Sequence, residues 1–212
     1  MKSLSLSKPL IIVTVGAPGA GKSFFARQFS QTFGAPVVSY DRLRYELFAE
    51  PSYSKDERTI IQRVAEYQTE ELIKTHKTFI VDGGGTSKAE RLQLKRLAEK
   101  NGYGVLLVWA QVDERTAKTR SLKRSKRRLD DAYNQSLSTE QFEKEAKRFT
   151  PPAANEDFVV VSGKHTHTSQ AKVVLKKLVT PREEINPHEA KQPLAPQRHN
   201  IESPMRRNVK IR

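Results

Sequence analysis

Leu10-Ile-Ile-Val-Thr-Val-Gly-Ala-Pro-Gly-Ala-Gly-Lys-Ser23 decides the fold. Leu10 to Val15 is a β-branched, apolar run that reads as a strand. From Lys22 to Phe33 the apolar residues Phe25, Ala26 and Phe29 recur at helical spacing. Between them, Gly16-Ala-Pro-Gly19-Ala-Gly21-Lys22-Ser23 is G-x-x-x-x-G-K-S in the context that motif requires, after a buried strand and opening a helix. Glycines there permit a tight loop whose backbone N–H groups wrap phosphates, with the positive end of the helix behind them. The expected nucleotide-binding set is Gly16, Ala17, Pro18, Gly19, Ala20, Gly21, Lys22 and Ser23, with Lys22 reaching the β- and γ-phosphates and the Ser23 hydroxyl ligating magnesium.

Outward from that loop, strands and helices alternate. Pro36 to Ser39 reads as a second strand and leads into a helix starting at Asp41; Ile60, Ile61, Val64, Ala65 and Leu72 mark a longer one after the Pro51 turn. Thr78 to Val81 is a third strand, and Ser87-Lys-Ala-Glu90 is a capping box for a helix that stops at Asn101-Gly102. Tyr103 to Val112 is a fourth strand, Asp113 caps a basic helix expected to run to Arg128, and Ser138 opens another that Thr150-Pro-Pro ends. Phe158 to Ser162 and Ser169 to Leu178 supply the last strand and helix. Five strands each followed by a helix imply an α/β fold, a three-layer sandwich on a parallel sheet with right-handed crossovers. The domain is expected over residues 1–180; past it the prolines at 181, 187, 193, 196 and 204 and the scarcity of aliphatic residues predict a disordered tail over 181–212.

Composition narrows the chemistry. The 212 residues contain no cysteine, which excludes disulfides, thiolate nucleophiles and Cys-ligated metal. Lys and Arg number 38 against 24 Asp and Glu, a net +14 that favours a polyanionic partner. The stretch from Asp113 to Arg128 holds eight basic and two acidic residues, a net +6, so the positive field is local. The most apolar runs fall far below the ~20 residues that cross a bilayer. Lys2 with Leu10 to Val15 imitates a secretory signal, but Lys8 and Pro9 interrupt it, and the N-terminus is read as mature and the location as cytoplasmic.

Three further constellations carry chemistry. Asp41, with Arg44 three residues on along the same helix face, can take a proton from an attacking hydroxyl, while Arg44 can hold an acceptor-side phosphate; an N-cap aspartate beside a solvated arginine explains the same pair. Asp82 ends the third strand before Gly83-Gly84-Gly85, where a carboxylate serves the magnesium shell and Gly84 and Gly85 let a substrate lie on the backbone. Which of Asp41 and Asp82 is base and which metal-associated stays open at this stage. Arg120 and Arg124, one helical turn apart, can close over a transferring phosphoryl group, or be part of a solvated face that includes Lys126, Arg127 and Arg128. His165 and His167 lack a third ligand and read as surface residues; Trp109 reads as core.

Gly16 to Ser23, Asp41 with Arg44, Asp82 at a strand end and Arg120 with Arg124 together resemble the kinase domain of phage-type polynucleotide 5′-hydroxyl kinases and the wider adenylate-kinase-like P-loop kinases. The resemblance spans about Leu10 to Leu178. It implies the strand order 2-3-1-4-5, ATP and magnesium as cofactors, and in-line γ-phosphoryl transfer to a hydroxyl such as a nucleic-acid 5′-hydroxyl. It implies Asp41 as general base, Arg44 as acceptor-phosphate ligand, and Arg120 and Arg124 as residues of a helical lid. Phe24 stands where many relatives carry a second hydroxyl residue, the Gly83 to Gly85 run replaces the usual polar residues, and there is no D-x-D-x-T phosphatase motif. Kinases of small metabolites or sugar nucleotides, including zeta-toxin-like enzymes, share these parts, and a nucleotide-regulated RNA-binding NTPase is the competing class.

Overall fold

The computed structural model describes residues 8–124, 132–133 and 135–179. Lys126, Arg127, Arg128 and the 181–212 tail lie outside the described residues. Twelve elements follow one another among the described residues: β1 (Leu10–Val15), α1 (Lys22–Phe33), β2 (Val37–Ser39), α2 (Tyr40–Leu47), α3 (Lys55–Ile73), β3 (Phe79–Asp82), α4 (Lys88–Lys100), β4 (Gly104–Gln111), α5 (Glu114–Leu122), α6 (Thr139–Arg148), β5 (Phe158–Ser162) and α7 (His167–Val179). The strands form one sheet in the order β2-β3-β1-β4-β5, and every pair is parallel.

Alternation along the strands divides the core in two. Ile12, Ile80, Leu106, Val108 and Val161 face Phe25, Ala26 and Phe29 of α1 and Ala171 and Val174 of α7. Ile11, Val13, Val15, Phe79, Val81 and Leu107 face Leu43 of α2, Ile61 and Ala65 of α3 and Ala98 of α4. β1, at the centre, is buried along its whole length, as a strand covered on both faces must be. Each fully buried Ile or Phe on these faces contributes roughly 1.5–3 kcal/mol.

Local rules set most boundaries. Gly34 ends α1 in the left-handed region at φ 67°, its N–H donating to Ser30 O. Ser87 and Ser138 form reciprocal capping boxes with Glu90 and Gln141, as expected. Two boundaries differ from expectation. α2 starts at Tyr40, and its N-cap is Ser39, whose hydroxyl accepts from Arg42 N, so Asp41 lies inside the first turn. α5 ends at Leu122 instead of running to Arg128, because the chain turns back: Leu137 N donates to Ser121 O, Arg124 Nη1 to Gln135 O and Ser136 Oγ to Arg124 O. Among the described residues no helix is long and apolar enough to cross a membrane.

Candidate functional site

The site lies at the carboxyl ends of β1, β2 and β3, where open parallel sheets receive ligands. The phosphate loop leaves β1 at Gly16 and enters α1 through Gly21, the N-cap, in the left-handed region at φ 98° with no side-chain cap. Each of α2 to α6 has a Ser or Asp side chain on its first-turn N–H groups: Ser39, Ser54, Ser87, Asp113 and Ser138. α1 alone among these six offers its first-turn donors to something outside the helix, as an anion site requires. Gly19, at φ 75°, is packed so closely on α5 that a Cβ would collide with Ala117 O and come within 2.6 Å of Ser121 Oγ.

Lys22 Nζ donates to Gly16 O and Ala17 O, both at 2.9 Å, drawing the loop's mouth together. Burial depresses its pKa, Asp82 and Asp41 push it back up, and Arg124 lowers it further. These charges therefore face one space. Asp82 sits opposite Thr14 in the β1–β3 register, and Thr14 Oγ1 donates to Asp82 Oδ1 at 2.6 Å. That bond fixes the carboxylate at the sheet edge. Ser23 and Asp82 bring hard oxygen donors to the loop, the kind magnesium takes alongside nucleotide phosphates, so the residues fit an ATP–magnesium pair.

Asp41 and Arg44 form an ion pair, Arg44 Nη1 donating to Asp41 Oδ1 at 2.9 Å. With Ser39 as the cap, the Asp41 carboxylate is not consumed by the helix. It remains 42% exposed. Its pKa is raised, first by desolvation and then by the like charge of Asp82, against the opposing pull of Arg44, Arg124 and Lys22. A carboxylate so held is a better proton acceptor than a solvated one.

Arg44 differs from the solvated or phosphate-reaching residue expected. It is buried, its Nε donates to Glu57 Oε1 at 2.7 Å, and its guanidinium stacks over the Tyr53 ring at 4.5 Å. The two lid arginines also part company. Arg124 acts electrostatically on both Lys22 and Asp41, whereas Arg120 Nη1 donates to Gly163 O in the β5–α7 loop at 2.8 Å. Lys164 of that loop pairs with Asp113 and ties it to the start of α5.

The glycine run has an internal reason. A Cβ on Gly83 would lie 2.7 Å from the Tyr40 ring and one on Gly84 2.5 Å from its hydroxyl, while Gly85 packs on Val13, Val15 and Arg91. Tyr40 packing therefore accounts for the absence of side chains at Gly83 and Gly84. Beyond Asp41, a cleft of about 460 Å³ is lined by Tyr45, Ala49, Glu50, Pro51, Arg124, Gln135 and Ser136.

Sequence reading missed Glu57, Tyr53 and Arg91. Ser54-Lys-Asp-Glu57 has capping-box spacing, and Ser54 Oγ does accept from Glu57 N, but the Glu57 side chain turns away to Arg44 and the 52–53 backbone. Arg91, nearly fully buried, donates to Gly85 O, Thr150 O and Glu156. His167, expected on the surface, shares a hydrogen bond with Thr32 Oγ1 at 2.9 Å, and its Nδ1 is buried. Trp109 is half-buried among Phe149 and Phe158.

Comparison with known proteins agrees with the fold. A family model described as an AAA domain matches residues 11–152. No curated protein matches the chain. Among solved structures, a putative kinase of Chloroflexus aurantiacus is similar with a TM-score of 0.65 at 12% identity, covering 81% of this chain and 99% of that one. The APS kinase CysC of Mycobacterium tuberculosis, in complex with AMPPNP and APS, gives 0.60 at 17% identity, covering 82% and 99%. The Pnkp1/Rnl/Hen1 RNA repair complex gives 0.56 at 22% identity, covering 70% of this chain and 46% of that one. At these identities the likeness is one of fold.

Proposed function

The chain belongs to the AAA domain family whose model spans residues 11–152, and from that membership and the site's geometry we propose an ATP-dependent kinase that transfers the γ-phosphoryl group to a nucleic-acid 5′-hydroxyl. The observation that carries the proposal is the Asp41 carboxylate, released from capping by Ser39 and held by Arg44 in the same electrostatic neighbourhood as Lys22 and Asp82.

In this reading the loop from Gly16 to Ser23 binds the triphosphate through its N–H groups, and Lys22 lies against the β- and γ-phosphates. Ser23 and Asp82 would hold magnesium, which supplies charge neutralisation across the phosphates. Asp41 accepts the proton of the acceptor hydroxyl, whose oxygen attacks the γ-phosphorus as the bond to the β–γ bridging oxygen breaks. Arg124 faces the charge that spreads over the transferring oxygens. Asp41 is taken as the base and Asp82 as the metal-associated carboxylate, since Asp82 ends β3 directly opposite Thr14 of β1, the strand that leads into the phosphate loop, while Asp41 lies on α2 beside the acceptor side.

Support for a nucleic-acid acceptor is the net charge, the cleft's size and its aromatic face. A volume of about 460 Å³ admits a group the size of a nucleotide. Tyr45 lines it, an aromatic surface of the kind single strands stack on. The test is transfer from γ-labelled ATP across a panel of 5′-hydroxyl DNA and RNA oligonucleotides, nucleosides and sugars. Label on the oligonucleotides is expected. Label confined to a sugar or small metabolite would move the chain to that kinase class, and hydrolysis without any labelled acceptor would make it a nucleotide-driven binding protein.

A further inference from the structure

Glu57 lies on the first turn of α3, buried to 3% exposure and remote from the phosphate loop in sequence. A buried carboxylate is costly unless every acceptor site is met. Here they are met by donors from two places. Arg44 Nε donates to Oε1 at 2.7 Å; Ser52 N at 2.6 Å, Ser52 Oγ at 2.8 Å and Tyr53 N at 3.0 Å all donate to Oε2. One oxygen therefore holds α2 and the other folds the 52–53 turn.

That turn has a second consequence. Tyr53 adopts φ 56°, the left-handed region that a bulky residue rarely takes. The Glu57 contacts hold it there, and the result is the Tyr53 ring under the Arg44 guanidinium at 4.5 Å and the Tyr53 hydroxyl 3.4 Å from that of Tyr45, which lines the cleft. Arg44 is thus enclosed by Glu57 at Nε, Asp41 at Nη1 and a ring on its face. A guanidinium engaged on two edges and one face is committed to its protein partners, which leaves it a poor candidate for gripping an incoming phosphate.

We propose that Glu57 is a positioning residue that sets the Asp41 carboxylate through Arg44, and that Arg44 serves as the rigid link between them instead of as the acceptor-phosphate ligand its spacing suggests. This rests on the kinase reading, in which Asp41 is the base. The planar fork of arginine is what allows the link, since two of its nitrogens meet two carboxylates in fixed geometry. The Asp41 side chain is partly exposed and its side-chain partner is Arg44, so without the link its oxygens have no fixed direction. The same Glu57 carboxylate fixes the Tyr53–Tyr45 wall, so the base and one side of the acceptor cleft are set by a single group.

The experiment uses the full chain, γ-labelled ATP and a 5′-hydroxyl oligonucleotide, with ATP hydrolysis by water measured in parallel. Glu57→Gln keeps the shape but replaces an accepting oxygen with an amide donor, so the 52–53 turn and Arg44 cannot both be held. The expected loss is about 10²-fold in kcat, the scale on which a misplacement of about 1 Å acts, with KM for ATP unchanged. Arg44→Ala should lower kcat at least as far, and adding Glu57→Gln to it should cost little more, because the link is already cut. Arg44→Lys, which retains the charge and can still pair with Glu57, should reproduce the kcat loss in a folded chain and carries the test if Glu57→Gln does not fold. Independent, multiplying losses in the double variant, or a folded single variant with wild-type kcat, overturn the positioning role while leaving the kinase reading in place. If the oligonucleotide takes no label but ATP is hydrolysed, the acceptor reading fails and the same cycle on hydrolysis still decides the role of Glu57. A chain that neither transfers nor hydrolyses overturns both.

Discussion

The phosphate-loop side and the acceptor side of the site are built on different principles. On the first, contiguous backbone does the work: Gly16 to Gly21 present N–H groups, α1 opens without a side-chain cap, and the one long side chain, Lys22, bonds to the loop's own carbonyls. On the second, side chains from separate elements meet: Asp41 and Arg44 from α2, Glu57 from α3, Tyr53 from the turn between them, Arg124 from beyond α5. A backbone cradle tolerates little change in conformation but much in neighbouring side chains. A side-chain assembly allows the reverse. The lesson is that nucleotide binding and acceptor choice are separable by mutation.

Lys22→Ala should break the first side most severely, removing phosphoryl transfer to background in a chain whose circular dichroism is unchanged. Because Lys22 also bonds to Gly16 O and Ala17 O, the variant's loop should bind nucleotide weakly as well, which equilibrium titration of a fluorescent ATP analogue would read. Transfer persisting in that variant would remove the phosphate-loop site from consideration.

Asp41→Asn should sharpen the contrast, lowering turnover by roughly 10² to 10⁴-fold, the range of general-base catalysis, with ATP affinity nearly intact. The raised pKa of Asp41 adds a pH signature. The base must be ionised, so kcat/KM in the wild type should fall as pH drops through a midpoint above the ~3.9 of an ordinary aspartate. Stability follows the same linkage. A carboxyl whose folded pKa is raised binds more protons in the folded state, so its contribution to stability falls as pH rises from the ordinary value through the raised one. Asp41→Asn should therefore raise the melting temperature at neutral pH and lose that advantage in acid below the ordinary range, an ordering that thermal melts across pH would test. An equal loss of turnover in Asp82→Asn but none in Asp41→Asn would exchange the two assignments.

Next in size come the arginines. Arg124→Ala should lower turnover more than it lowers ATP binding, since Arg124 faces Asp41 and Lys22, and Arg124→Lys should restore only part because an ammonium lacks the planar fork. Arg120→Ala should act mainly on nucleotide affinity, through the β5–α7 loop it holds at Gly163. Equal effects of the two on turnover would place both on the same face of a closed lid and erase the distinction drawn here. Gly19→Ala tests the cradle itself: a strained φ and a collision with Ala117 O force the phosphate loop to shift, which should weaken ATP binding and also cost about 1–3 kcal/mol of stability, read as a lower denaturant midpoint.

Much of this molecule follows from local sequence rules, and the parts that do not share a cause. The β-branched runs at Leu10 and Tyr103, the helical spacing of Phe25 and Phe29, the capping boxes at Ser87 and Ser138 and the loop from Gly16 to Ser23 are short-range patterns, each decided by backbone geometry and by which face is buried. They were enough to set five parallel strands, the phosphate cradle and the placement of Asp41 and Asp82 at strand ends. What only the tertiary structure decided is which partner each polar side chain finds. Asp41 reads as the cap in sequence, and the Ser39 hydroxyl, read only as the end of a strand, takes the role. Arg44 and Arg91 are buried because Glu57 and Glu156 meet them from other elements. The glycines after Asp82 are explained by Tyr40, and the end of α5 by residues 135–137. A hydrogen-bonding side chain carries no period that marks its partner, since the free energy of the bond depends on where the rest of the chain brings the complementary atom and how much water is removed when it arrives.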